Sequence, residues 1–255
     1  MKYILLSLGL LTEIFAFAGT NCEQKPLERN LFSEASTHAM KLLNFLNQYN
    51  PDAAIIARIG SDSSKYGVKY THAAFVIKEN NSWNVIHLLN DCGTSTSHIY
   101  NQGLLNFYLD DLYKMDVQII LPIDSLQKRI KNGLKEKRFL SLHCQKYSML
   151  SYPQSTHYQN SNQWILESLA CAISGEKICT RESSQSLLAR SKYEPFKIKL
   201  GVIENMFASV FKANINFSGY PANERADGLY SVVTVSSILD YLTKHKLVGG
   251  QYVIE

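Results

Sequence analysis

Residues 71–89 read THAAFVIKENNSWNVIHLL, and this stretch leaves the chain little conformational freedom. Two runs rich in β-branched and aromatic residues, 71–78 and 83–89, flank the turn-forming quartet Glu79-Asn80-Asn81-Ser82. The pattern predicts a β-hairpin with a loop of about four residues. Lys78 then faces Trp83, Val76 faces Val85, Ala74 faces His87 and His72 faces Leu89. Side chains alternate between the faces of a strand, so His72 and His87 share one surface as diagonal neighbours, roughly 7–8 Å apart at the backbone. A slip of one residue would separate them. A histidine on a half-buried strand is ordinarily a hydrogen-bonded core residue, so the hairpin alone assigns no chemistry.

The flanking sequence supplies helices and further strands. Apolar residues at helical spacing (Leu31, Ala35, Ala39, Leu42, Leu43, Phe45, Leu46) predict a helix over 31–48 that stops before Pro51. AAIIAR, 53–58, reads as a buried strand. Beyond the hairpin, helices are expected at 102–113, 123–135, 182–193, 206–214 and 236–245, and strands at 117–121, 230–235 and 251–254. Residues 219–228 read as a Gly/Pro/Asn loop. No repeat or low-complexity linker divides the chain. The expectation is one α+β domain over residues 19–255, an antiparallel sheet packed on helices.

The first residues, MKYILLSLGLLTEIFAFAGTNC, carry Lys2, an apolar run and Ala16-Phe17-Ala18, the pattern of a secretory signal peptide over residues 1–18 cut before Gly19. No later stretch is long and apolar enough to span a bilayer, so the processed chain is expected to be exported, soluble and periplasmic. The five cysteines then meet an oxidising compartment. Cys22 with Cys92 is one candidate disulfide and Cys171 with Cys179 another. Cysteine spacing fits no zinc pattern, so neither metal nor other cofactor is expected. The net charge of +4 comes from scattered lysines, which argues against a nucleic-acid partner.

One further segment is overloaded with polar residues. YQNSNQWILE, 158–167, turns apolar at helical spacing after Gln163, with Gly175 as the stop. Asn160 can cap this helix, with Gln163 three residues on in the place of a capping-box partner. Ser161 is left in the first turn, where free N–H groups and a partial positive charge stabilise an anion. Histidine His72 can then act as base for Ser161, with His87 holding His72 in the correct tautomer. Asn160, Asn162, Gln163 and Tyr158 are the candidate binding residues around it. The plainer reading is a cap whose neighbours hydrogen-bond a loop.

THAAFV, then VIHLLN, then much later QNSNQWILE resembles the circularly permuted branch of the NlpC-type, papain-like superfamily, including its lecithin:retinol acyltransferase relatives. Those proteins carry one His on a strand, a second at the end of the next, and a nucleophile in a later Asn-Cys-Glu-His-Phe helix start. The resemblance implies His72 as base, His87 as orienting residue and Ser161 in the cysteine's place. The chain is also similar to an uncharacterised bacterial family, domain of unknown function 2145, through AIIARIGSDSSKYGVKYTHAAFV, WNVIHLLNDCGT, QGLLNFYLDD and YSMLSYPQSTHYQNSNQWILESLA. One departure matters. A hydroxyl is a far weaker acid than a thiol and depends on its base throughout. Ser161 is a working serine, a degenerate site or an engineered replacement, and the residues alone leave all three open. Asn162 and Gln163 replace the Glu-His of the acyltransferase motif, so lipid substrates do not carry over.

The expected function is an exported, papain-like hydrolase or acyltransferase acting on an amide or ester, with a small peptide or cell-wall fragment as substrate by analogy. The alternative is a catalytically inactive module that keeps the cleft and binds a ligand or partner there.

Overall fold

The computed structural model describes residues 26–110, 112–201 and 213–255. The expected signal peptide and Cys22 lie outside these residues, and the helix expected at 206–214 lies almost wholly outside them.

Six strands form one antiparallel sheet in the order β4-β3-β2-β1-β5-β8: β1 (Ala53–Ile59), β2 (His72–Glu79), β3 (Ser82–Asn90), β4 (Ser97–Gly103), β5 (Lys114–Pro122) and β8 (Val248–Ile254). Every residue of β1 is buried. Its near-continuous apolar run is what a strand needs when both faces of the sheet are covered. On one face α1 (Arg29–Tyr49) and α2 (Leu104–Leu109) bring Leu42, Leu46, Phe107 and Tyr108 onto Ile56, Val76, Val85 and Ile119. On the other, α3 (Asp124–Lys135), α4 (Ser161–Ser174) and α7 (Val235–Lys244) cover Ile55, Ala57, Phe75 and Ile77. A small ribbon of β6 (Phe196–Lys199) and β7 (Leu229–Val232), with α6 (Ala222–Asp227), builds a separate aromatic cluster around Tyr220 and Tyr230. The architecture is α+β, an antiparallel sheet with helices packed on it.

The hairpin register is the expected one, with Lys78 opposite Trp83 and Val76 opposite Val85. The loop is tighter than expected. Glu79 pairs with Ser82, and only Asn80 and Asn81 remain, both left-handed at φ 46° and 67°. That is the two-residue turn whose twist matches the strands, and asparagine tolerates the conformation. Shortening the loop symmetrically leaves the facing pairs unchanged.

The helix expected at 102–113 is corrected. β4 takes Gln102, pairing it with Val85, and α2 keeps only Leu104–Leu109. β4 is an edge strand with mostly solvent-facing side chains, so it lacks an apolar alternation, and pairing to β3 overrides local propensity. α6 occupies part of the expected 219–228 loop, and β6 was not anticipated.

α4 is buried from Ser161 to Ala172. A helix covered on all sides leaves few polar groups unpaired, and of the fully buried side-chain polar atoms of α4 only the Ser168 hydroxyl lacks a partner among the described residues. Trp164 donates through Nε1 to the Phe139 carbonyl at 3.1 Å and sets its ring 5.7 Å from that of Phe75. Phe139 in turn lies so close to α3 that a Cβ at Gly133 would stand 2.4 Å from its ring. Glu167, fully buried, accepts from Arg181 Nε (2.7 Å), Arg181 Nη2 (3.0 Å), Gln159 (2.7 Å), Gln185 (2.8 Å) and Gln163 (3.1 Å). Burial pushes its carboxyl above the ordinary range against the pull of Arg181, Gln185 and Gln159. Arg181 opens α5 (Arg181–Arg190), and the Cys171–Cys179 disulfide ties the last turns of α4 to the segment before it. Cys92 is also disulfide-bonded, Cys144 is free, and the expected partner Cys22 lies outside the described residues.

Because removing one member of a buried ion pair strands the other charge, Glu167→Ala is expected to cost about 3–5 kcal/mol in urea denaturation. Lys244→Ala, which breaks the exposed pair with Glu194, should leave the midpoint where it is. Equal effects from the two would refute the role assigned to Glu167.

Candidate functional site

The ladder between β2 and β3 ends at the pair Phe75–Ile86. Beyond it the two strands carry their histidines toward each other. His72 Nε2 lies 2.9 Å from His87 Nδ1, with the rings edge to face at 5.1 Å between centroids. Alternation puts both on the face covered by α2, where the Phe107 ring lies 6.4 Å from His72 and 5.9 Å from His87. His87 Nε2 continues the chain to Gln102 Oε1 on β4 at 3.0 Å. Neither histidine is exposed beyond 8%.

Arg58 is the cross-strand partner of His72 on β1 and shares that face. Its guanidinium lies 4.8 Å over the Phe107 ring, donates to the Phe107 carbonyl at 2.6 Å and pairs with the Asp110 carboxylate. Asp62, four residues on, takes no part and accepts from the Ser64 amide and hydroxyl at 3.0 and 2.6 Å. Burial and then the Arg58 cation hold His72 well below its ordinary range, and the same causes in the same order bring His87 down to about 4. At neutral pH both imidazoles are uncharged.

The crowded start of α4 resolves residue by residue. Gln159 accepts from the Cys144 amide (2.9 Å) and donates to the Leu142 carbonyl (2.9 Å) and Glu167. Asn160 caps the helix, its side chain accepting from the Gln163 amide at 2.7 Å and donating to the Met149 carbonyl at 3.1 Å. Asn162 accepts from the Ala73 amide (2.9 Å) and donates to the Thr71 carbonyl (3.1 Å), so it grips β2 on both sides of His72. Gln163 forms no capping box. Its side chain accepts from the Ser151 hydroxyl (2.6 Å) and donates to the Pro153 carbonyl (3.3 Å) and Glu167. Tyr158 lends its carbonyl to Arg181 at 3.0 Å and its ring to His157 at 4.7 Å. In this run of five polar residues, 159–163, Ser161 alone has a side chain with no hydrogen-bond partner among the described residues, and it keeps 6% of its surface.

The structure therefore joins His72 to His87 directly and docks the first turn of α4 against the strand that carries His72. It does not join the Ser161 hydroxyl to either imidazole by a hydrogen bond. The Nδ1 of His72 is likewise without a partner among the described residues. The amides of Ser161 and Asn162, at the positive end of α4, also have no partner among the described residues, while those of Gln163 and Trp164 bond to Asn160. The side chains of Asn160, Asn162 and Gln163 are committed within the chain. Gln102 stands at the start of the segment whose spacing predicts a helix, and only its pairing in the edge strand β4 places it beside His87. His143 contacts the Ser97 hydroxyl at 3.1 Å, and Cys144 beside it stands at no helix start. Among the described residues no three His, Cys, Asp or Glu side chains are placed to hold a metal ion.

A buried neutral histidine resists protonation, so the folded state gives up stability as pH falls below the unfolded pKa of about 6.5. For His87 the drop to about 4 corresponds to roughly 3 kcal/mol, intact above pH 6.5 and fully lost below pH 4. Urea denaturation of wild type and His87→Gln across that window should show the variant's stability falling less steeply by about that amount. Parallel curves would overturn the assignment.

A family model described as an uncharacterized protein conserved in bacteria, DUF2145, matches residues 45–242. Among curated proteins none matches the chain. The crystal structure of the metalloprotein yiiX from Escherichia coli O157:H7, a DUF1105 protein, is similar over 80% of this chain and 96% of that one, at 11% identity and a TM-score of 0.43. The matched segment takes in β1 to β7, both histidines and the whole start of α4, and the chain belongs to the DUF2145 family of bacterial proteins.

Proposed function

We propose that the protein is an exported hydrolase or acyltransferase of the circularly permuted, NlpC-type papain-like class, acting on an amide or ester carbonyl. Residues 1–18 are its secretory signal, 19–255 its single domain and the periplasm its location. A peptide of the cell wall is the substrate class that this location favours. One observation carries the reading. Ser161 alone, of five consecutive polar residues at the head of α4, has a side chain with no hydrogen-bond partner among the described residues, beside the strand whose His72 Nδ1 likewise has none among them.

In this reading the Ser161 oxygen attacks the carbonyl carbon and His72 takes its proton. His87 holds the His72 ring from the far side. The unbonded amides of Ser161 and Asn162 receive the charge that develops on the carbonyl oxygen. His72 then returns the proton to the leaving group, and water or a second acceptor releases the acyl group from Ser161. Its low affinity for protons keeps His72 competent as a base well below pH 6.5, so the acid limb of any activity should lie below the ordinary histidine range.

The test starts from a Cys144→Ser background, which removes the free thiol. Adding Ser161→Cys should give a thiol alkylated by iodoacetamide at pH 7 on the order of tenfold faster than an unperturbed cysteine of pKa about 8.5. Hydrolysis of an activated ester by the wild-type chain should fall about 10²–10⁴-fold in His72→Ala. A slow thiol together with an inert wild-type chain would leave a non-catalytic binding module as the surviving reading.

A further inference from the structure

We infer that Gln102 is a positioning residue that fixes the direction of every proton in the His87–His72 relay and leaves the lone pair of His72 on the unbonded Nδ1. This rests on the reading of His72 as a base but adds a residue and a mechanism to it.

The Gln102 atom that meets His87 Nε2 at 3.0 Å is the side-chain carbonyl oxygen, which only accepts. Nitrogen Nε2 of His87 must therefore carry the hydrogen. His87 is neutral, so its single N–H is used there and its Nδ1 presents a lone pair. His72 Nε2 faces that lone pair at 2.9 Å and must be the donor. His72 is neutral as well, so its remaining nitrogen, Nδ1, holds the lone pair a base requires. Reversing the Gln102 amide would reverse both hydrogens and leave an N–H at His72 Nδ1, where a base is needed.

Geometry allows Gln102 this role because β4 pairs with β3 in a fixed register. Gln102 stands opposite Val85 and is the diagonal neighbour of His87, on the same face. Burial and Arg58 enter by keeping the relay uncharged, since a protonated imidazole donates from both nitrogens and carries no direction. Arg58 and Asp110 are the charged groups acting on this face.

Long-range 15N–1H correlation spectra of the uniformly 15N-labelled full chain at pH 7 test this, with His72→Gln and His87→Gln assigning the signals. The expected wild-type result is an Nε2–H tautomer at both residues, with both Nδ1 atoms unprotonated. Gln102→Leu should lose that preference at His87, and at His72 with it, while the thermal midpoint and circular dichroism report the fold. Gln102→Glu retains an acceptor and should restore the wild-type tautomers. An Nδ1–H signal at His72 in the wild type, or unchanged tautomers in a folded Gln102→Leu, overturns the inference. Because tautomers are read without substrate, the expected pattern beside an inert Ser161→Cys thiol supports the role of Gln102 while removing the hydrolase. The reverse pattern beside a reactive thiol overturns the inference and spares the enzyme.

Discussion

At the open end of β2 the ladder to β3 has stopped, and two backbone groups, the Thr71 carbonyl and the Ala73 amide, face a gap in the sheet. The side-chain amide of Asn162 fills it as a third strand would, accepting from one and donating to the other. A buried peptide group without a partner is costly, so this substitution for a missing strand is strongly specified. It fixes the height and rotation of α4 against the sheet. The cap at Asn160, the grip of Gln163 on residues 151–153, and the hydroxyl of Ser161 all follow from that docking.

Two faces of one sheet serve different ends. The face under α3, α4 and α7 is closed by an aromatic contact among Phe75, Phe139 and Trp164. The face under α2 admits polar groups, and two of them are met by complementary chemistry: Arg58 lies over an aromatic ring and against a carboxylate, and His87 between an imidazole and an amide. Burial first, and the Arg58 cation second, disfavour charge on the two imidazoles. The serine nucleophile proposed above gains from that arrangement, since its proton must go to an uncharged acceptor. A thiolate paired with an imidazolium would not.

What the sequence made legible was whatever depends on neighbours a few residues away. The hairpin register followed from matching two runs about one centre, and it survived an error in loop length because the error was symmetric. The cap at Asn160 and the stop at Gly175 followed from local backbone chemistry. The partners of Asn162, Arg58 and His87 were not legible in the same way. Asn162 reaches residues 89 and 91 positions back, and Arg58 reaches 52 positions on to Asp110. Strand β4 left no pattern because an edge strand has one covered face at most and this one points mostly to solvent. With β4 misread, Gln102 could not be placed beside His87, so the outer member of the relay stayed hidden while its two histidines did not.

The bond between Cys171 and Cys179 joins sulfurs only eight positions apart, and Arg181 begins two residues after it. Without that short covalent circuit, the guanidinium would have to find Glu167 while the loop between the two helices stayed loose. With it, the cation is carried to the carboxylate as a tethered counterion, at an effective concentration set by a handful of residues. The disulfide thus shortens the loop that carries the counterion of Glu167 and holds its start close to the end of α4.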